Sequence, residues 1–426
     1  MTTPTLPDRI AAALDALLPD ALAFAQQLVR IPSLPGRERD AQLAAADAMR
    51  RLGLEVSTIV PRLEQLASHP AFCDDGLPLD SRPNSVGRWR APVARDGARS
   101  IILNGHLDVV SPGDEARWSE SPWSGRVDAG RLHGRGSCDM KAGVACALFA
   151  LAVLQRLGMA PGADVLVETV SGEESGGVGT LATIVAGWRA DAAVILEPTS
   201  LALCPVQAGA LTFRLIVRGR SAHGALKWTG VSAIDKLRIV LDRLDRLDRE
   251  RHARFRHPLF PDPQRVAPVS IGIVRAGDWP STVPNEAIAE GRFGVFPGES
   301  IASARQALET AVVDVARADD WLRAHPPVVE WFEGQFESGA TPIDAPIVRA
   351  VAAAHRAASG QEAVIEGVTY GSDLRLFTNH GVMPAVLYGP GDVAQAHAVD
   401  EWIAVDQMVT ATRTIALLVA DWTAAS

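Results

Sequence analysis

Four short runs in this chain place acidic and histidine side chains where chemistry could be done. In IILNGHLDVV, His106 and Asp108 follow an apolar strand and, two residues apart, can point the same way. GRGSCDMKAG is a glycine-bearing loop that delivers Asp139 to the start of a long apolar helix. ETVSGEESGG sets the adjacent carboxylates Glu173 and Glu174 in a glycine-flanked loop after a strand, and VILEPTS ends an apolar strand on Glu197 before Pro198 stops it. Singly these are ordinary features, such as an aspartate capping a helix. Their recurrence at four consecutive strand or helix ends is not, because open α/β sheets put ligands at those ends. Neighbouring carboxylates are costly to bury, so Glu173 and Glu174 either face water or are held by a cation. A divalent metal is the simplest group that gathers carboxylates and imidazoles, and zinc suits the mixture. His397, in YGPGDVAQAHAVDEW, lies beyond a strand ending at Tyr388, from which a loop could return it to the same mouth. That completes a two-metal set.

The elements around these runs must position them. Apolar residues at helical spacing predict a helix over 8–30, halted at Ile31-Pro32, and a second over 40–52. Strands over 100–103, 164–170 and 192–196, separated by helices over 141–157 and 178–188, give the alternation of a parallel sheet. Near Gln207 the texture changes: residues 208–333 read as β, α, β, β, α, β, which suits a four-stranded antiparallel sheet with two helices. From Pro346 the α/β texture resumes. The expected fold is therefore α/β, a mostly parallel sheet with helices on both faces over 1–207 and 334–426, and an α+β domain inserted at 208–333. The helical run LDRLDRLDRE pairs Asp242 with Arg246 and Asp245 with Arg249 at i,i+4 spacing, the pattern of a solvated face.

Composition narrows the function classes. The 426 residues carry 41 Lys+Arg against 50 Asp+Glu, a net charge of −9 that argues against a nucleic-acid partner. Four scattered cysteines, Cys73, Cys138, Cys146 and Cys204, fit neither a disulfide framework nor a CxxC zinc site and suggest a reducing cytoplasm. The opening segment carries Asp8 and Asp15 where a signal peptide would be apolar, and the longest apolar run, 142–154, is short of the roughly 20 residues that span a bilayer. Neither export nor a membrane is expected. No GxSxG supports a serine hydrolase.

The runs GHLDVV, GRLHGRGSCDMKAG, SGEESGG, LEPT, GRSAHGA and AHAVDEW together resemble the signature segments of the di-zinc aminoacylase/carboxypeptidase family of metallopeptidases. That family includes acetylornithine deacetylase, succinyl-diaminopimelate desuccinylase, aminoacylase and glutamate carboxypeptidase. The likeness extends from LVRIPS, at residue 28, to the closing helix. It implies two divalent ions per chain, zinc with cobalt as the alternative, one held by His106, Asp139 and Glu197 and the other by Asp139, Glu174 and His397. It further implies that Asp108 orients His106, that the Asp139–Met140 peptide is cis, and that Glu173 takes a proton from metal-activated water and hands it to the leaving amine. His223, in GRSAHGA, would stabilise the oxyanion from the partner subunit, so the inserted domain would act as lid and dimer contact of a homodimer. The implied activity is hydrolysis of a linear amide in a small N-acylated substrate, releasing an acetyl, formyl or similar group.

The chain also departs from the family pattern. Many relatives hold a substrate carboxylate with an Asn and an Arg at positions that are Ser281 and Gly294 here, counted from Pro284. Neither supplies a planar donor, whereas Arg292, two residues earlier and on the same strand face, could be a displaced clamp or a plain surface arginine. The run GDWPSTVPNEAIAEGRFGVFPGE resembles an acetylornithine deacetylase-like bacterial branch that also contains a deformylase of a formylaminopyrimidine with no carboxylate. A dipeptidase or carboxypeptidase of the same fold, and a non-catalytic metal- or ligand-binding homologue, are the competing readings. His133 and Cys138 read as packing residues, Cys138 being close enough to Asp139 to be examined as a rival ligand.

Overall fold

The computed structural model describes residues 4–424. The chain forms two compact units, one of Met1–Pro205, Ala340–Glu366 and Ser372–Ser426, the other of Val206–Gly339 and Gly367–Gly371. Residues 367–371, expected in the first unit, cluster with the second.

The first unit begins with the helix Leu6–Val29, opened by a capping box in which Thr5 and Asp8 exchange side-chain and backbone hydrogen bonds. Its central sheet runs in the order Glu55–Ile59, Asn84–Trp89, Val165–Val170, Ile101–His106, Ala193–Ile195 and Ala385–Leu387, and Leu387 then faces Cys204 of the next strand. The pairings from Val165–Val170 through Ala385–Leu387 are parallel. Ile101–His106 and Val165–Val170 are buried at every residue, and each opens on three consecutive apolar residues, Ile101–Leu103 and Val165–Val167, as strands covered on both faces do. Glu55–Ile59 and Asn84–Trp89 add an antiparallel edge. Sequence patterning missed this pair because Asn84 and Gly87 are poor strand formers and EVSTI is half exposed.

Behind the sheet residues lies the helix Ala142–Arg156, buried around most of its circumference. With the preceding turn, the segment Ser137–Arg156 has 20 residues and is long and apolar enough to cross a bilayer, more than the run 142–154 suggested. Yet 89% of its apolar window is buried inside the protein, so it is a core helix. Each fully buried Leu or Val along it, such as Leu151 and Val153, contributes about 1.5–3 kcal/mol relative to exposure.

In the second unit the strands run in the order Val269–Ala276, Glu286–Val295, Gly209–Arg218 and Val328–Phe336, antiparallel throughout. Gly209–Arg218 alternates buried and half-buried residues, and its buried face, Leu211, Phe213, Leu215 and Val217, packs with Leu237 and Leu244 of helix Ala233–Arg254 and Leu308 and Val312 of helix Ile301–Ala318. The expected pairs of Asp242 with Arg246 and Asp245 with Arg249 are not formed. These residues are exposed, and Arg243 instead reaches Glu250 at 3.4 Å. Exposed i,i+4 pairs gain too little to hold long side chains in one rotamer. No disulfide joins the four cysteines.

Candidate metal centre

Strand ends deliver most of the site. His106 closes its strand, Glu173 and Glu174 follow Val165–Val170, and Glu197 follows Ala193–Ile195. These three strands are parallel neighbours in register, so their carboxyl ends open on one crevice. Asp139 comes from the turn before the core helix, across a cis peptide to Met140. Gly143, in the first turn of that helix, lies against the carbonyl of Leu196, where a Cβ would collide. Glycine therefore lets the helix start approach the strand end that carries Glu197. His397 adopts a left-handed φ of 61°, uncommon for a non-glycine residue and characteristic of functional loops.

The structure brings the six expected residues together. His106 Nε2 lies 3.0 Å from Asp139 Oδ1 and 4.0 Å from Glu197 Oε1. His397 Nε2 lies 3.5 Å from Asp139 Oδ2 and 3.2 Å from Glu174. The two imidazoles thus approach opposite oxygens of one carboxylate. His106, Asp139 and Glu174 offer ligand atoms within 4.8 Å of one another, as do His106, Glu173 and Glu197.

The electrostatics of this crevice favour a cation. Burial, followed by the charge of Glu197, pushes the Glu173 carboxyl well above the usual range, and burial with Asp139 does the same to Glu197 and raises Glu174. On Asp139 burial is outweighed by the two imidazoles, which hold its carboxyl below the usual range. Burial likewise opposes charge on His106, but its bond to Asp139 and the Asp108 charge hold its pKa well above normal. Hydrogen bonds to Asp139 and Glu174 push His397 up to about 10. Glu173 Oε1 is buried with no hydrogen-bond partner. Clustered carboxylates, an orphaned oxygen and an all-oxygen-and-nitrogen donor set fit divalent ions of the zinc type. Cys138 is not a rival: its Sγ meets the Asp392 carbonyl at 3.3 Å, and burial pushes its thiol up.

Asp108 acts differently from expectation. Its carbonyl, not its carboxylate, is the near partner of His106 Nδ1, at 2.9 Å against 3.8 Å. With Nδ1 donating there, Nε2 is the ring atom turned to Asp139 and Glu197, donating to Asp139 in the protein without metal and available to a cation once its proton is lost. The Asp108 carboxylate instead accepts the backbone N–H groups of Glu173, at 3.2 Å, and Glu174, at 3.0 Å. It fixes the turn on which both acids stand.

Three residues of the first unit escaped the sequence reading. Glu401 Oε1 accepts the backbone N–H groups of Cys138 and Asp139 at 2.8 and 3.2 Å, while Oε2 pairs with the buried Arg135 at 2.7 Å. Asp373 is fully buried, accepts from Thr180 Oγ1 at 2.6 Å, and adds to the repulsion that raises Glu173 and Glu197. Arg375 Nη2 donates to the Gly176 carbonyl at 2.8 Å. The signal for Asp373 was its loop, GSDLR, shortly after the strand Ile365–Val368; Glu401 sat unremarked in AHAVDEW.

The other expected residues lie in the second unit. His223, in a two-residue strand paired with Thr282–Val283, is exposed, and its Nδ1 accepts from Ala225 N at 3.1 Å. The Ser281 carbonyl accepts from Gly224 N at 2.6 Å. Arg292 Nη2 donates to the Thr369 carbonyl at 2.9 Å, and burial lowers its pKa. Gly294 presses on the Ala267 backbone, which leaves no room even for a Cβ.

The family description Peptidase family M20/M25/M40 matches residues 102–421. The chain is 28% identical to the N-formyl-4-amino-5-aminomethyl-2-methylpyrimidine deformylase of Halalkalibacterium halodurans over 97% of each chain. It is 31% identical to the acetylornithine deacetylase of Myxococcus xanthus, over 76% of this chain and 80% of the other. Its fold is shared with the dipeptidase Dug1p of Saccharomyces cerevisiae, at a TM-score of 0.75 and 13% identity, over 98% of this chain and 99% of the other. With that match reaching from the strand of His106 to the closing helix, the chain is a hydrolase that belongs to peptidase family M20/M25/M40.

Proposed function

We propose that this protein is a two-metal amidohydrolase that removes a small acyl group, formyl or acetyl, from the nitrogen of a small amine. The observation that carries the reading is the convergence of His106, Asp139, Glu174, Glu197 and His397, with Glu173 beside His106 and Glu197 and its Oε1 without a hydrogen-bond partner. His106, Asp139 and Glu197 would hold one ion and Asp139, Glu174 and His397 the other, zinc or cobalt. Bound there, the ions would polarise an amide carbonyl and acidify a water for attack at neutral pH. Glu173 takes that water's proton and returns it to the leaving nitrogen. Asp108 and Glu401 keep the two acidic turns in place. His223 Nδ1 accepts a backbone N–H, so the neutral ring carries its proton on Nε2, the atom free to donate to the carbonyl oxygen as charge builds.

The substrate class follows from the second unit and the relatives. Ser281 offers no planar cation and Gly294 has no room for a side chain, so the two usual carboxylate contacts are missing, and Arg292 has one of its five donors on a backbone carbonyl. A relative alike over 97% of both chains is a deformylase of an aminopyrimidine. A panel of formylaminopyrimidine, N-acetylornithine, succinyl-diaminopimelate and dipeptides tests this directly. Turnover of the formyl substrate, with kcat/KM at least about tenfold above any dipeptide, is expected; indifference to every amide would sink the reading.

We further infer that the protein works as a cytoplasmic homodimer in which the second unit supplies His223 to its partner. Exposed Leu226, Trp228, Ile273, Val274 and Trp279, all in that unit, support an interface there. Mixed Glu173→Ala and His223→Ala proteins, each inactive alone, should recover about a quarter of wild-type activity after subunit exchange. Recovery of nothing, with exchange demonstrated by mass, would contradict the shared site.

A further inference from the structure

Glu173 and Glu174 repel one another at the end of a strand, so the chain must hold their turn by force. Asp108 grips it through two amides. A second grip comes from the Pro/Asp-rich stretch 70–83, for which the mechanism has no use. Arg82 there is completely buried, and each nitrogen of its guanidinium is spoken for. Nε donates to Glu38 Oε1 at 3.0 Å, Nη1 to Asp75 Oδ2 at 2.6 Å, and Nη2 to Ser175 Oγ at 3.2 Å. Ser175 Oγ in turn donates to Asp75 Oδ2 at 2.5 Å, closing a triangle of Arg82, Asp75 and Ser175. Ser175 is the residue after Glu174. At the other end of the turn Gly172 takes a left-handed φ of 74°, and a Cβ there would collide with the Arg82 guanidinium. The turn is thus moulded over one rigid planar fork.

A buried ion pair is a poor stabiliser, because desolvation cancels most of its attraction. What a guanidinium does supply is direction, several donors fixed in one plane. We propose that Arg82 is a positioning residue that, through Ser175 and Asp75, sets the separation of the Glu173 and Glu174 carboxylates. The proposal rests on the reading of Glu173 as proton acceptor, since displacement of about 1 Å at such a group costs roughly 10²-fold in rate.

Ser175→Ala is the mildest test, because it cuts two bonds of the triangle and leaves the buried charges paired. Its kcat should fall about tenfold with KM changed less than about twofold and zinc content unaltered. Amides of residues 171–177 should exchange deuterium about tenfold faster, with no change over 233–254. Arg82→Lys should retain more activity than Arg82→Met, and if Arg82→Met does not fold, Asp75→Asn replaces it. Wild-type kcat and wild-type exchange in Ser175→Ala would overturn the proposal, as would a lowered Tm with kcat per folded molecule intact. Should the wild type hydrolyse nothing in the panel, the functional reading fails instead. Exchange over 171–177, measured with and without zinc chloride, then still decides the positioning role: no change in Ser175→Ala refutes it.

Discussion

Replacing Glu173 by alanine is expected to lower kcat by about 10²–10⁴-fold while two metal ions remain bound per chain. Glu173 is buried beside His106 and Glu197, yet its Oε1 has no hydrogen-bond partner, so an acceptor is kept aimed at the crevice at the cost of desolvation. Burial and the charge of Glu197 raise its pKa, which makes it a better proton acceptor when ionised and a ready donor once protonated. Glu173→Gln, which keeps the shape and removes the basicity, should be as inactive as Glu173→Ala. Metal analysis beside the kinetics checks the assignment. Loss of an ion along with activity would make Glu173 a ligand, an outcome its closeness to His106 and Glu197 makes worth measuring.

Asp139→Asn should have the largest effect on the protein as a whole, with loss of metal, of activity and of stability together. Among the described residues Asp139 is the carboxylate within 4.0 Å of both imidazoles, at 3.0 Å and 3.5 Å, so its oxygens serve both proposed positions. Removing the metals from the wild type should act in the same direction, since an ion at 100 times its Kd stabilises the folded state by about 2.7 kcal/mol. The pH dependence of the stripped protein has a definite sign. Glu173, Glu174, Glu197, His106 and His397 all have pKa values raised by the fold, and only Asp139 is lowered. A raised group contributes stability below its unfolded pKa and loses it as pH rises through the folded value. The metal-free protein should therefore melt at progressively lower temperature from about pH 5 toward pH 9, while the loaded protein changes less, because bound cations favour the ionised acids. Metal uptake should release protons, His397 among the donors, with its pKa of about 10 in the metal-free site. Melting curves that coincide with and without chelator at pH 8 would contradict the coupling.

How far the sequence disclosed all this depended on the kind of residue. His106, Glu174 and Glu197 were legible because they close or follow apolar strands, and Asp139 because a glycine-bearing loop delivers it to the start of an apolar helix, whereas His397 lies in a loop ten residues past its strand and stood out by its motif. The parallel core was legible for a related reason: its strands, buried on both faces, open on short apolar runs, Ile101–Leu103 and Val165–Val167. Asn84–Trp89 was not, because a strand interrupted by Asn84, Gly87 and Arg88 carries neither an apolar run nor a clean alternation, although it lies between two partners and is mostly buried. Nor was Glu401, Asp373 or Arg82. Their partners lie 262, 193 and 93 residues away, at Asp139, Thr180 and Ser175, and no local spacing encodes such pairings. Asp108 marks the boundary between the two cases: its place beside His106 was readable, but the hydrogen bonds of its carboxylate to the Glu173–Glu174 turn were not.

The central claim is that two divalent ions and Glu173 together make an amide-bond hydrolase. It is tested most directly by titrating metal-free protein with zinc while following metal bound per chain and hydrolysis of formylaminopyrimidine in the same samples. Binding of two ions per chain is expected, with activity rising to a plateau at the second and falling at least about 10²-fold in Glu173→Ala at the same stoichiometry. Two ions bound without hydrolysis of any amide in the panel, or hydrolysis that persists with no metal bound, would contradict it.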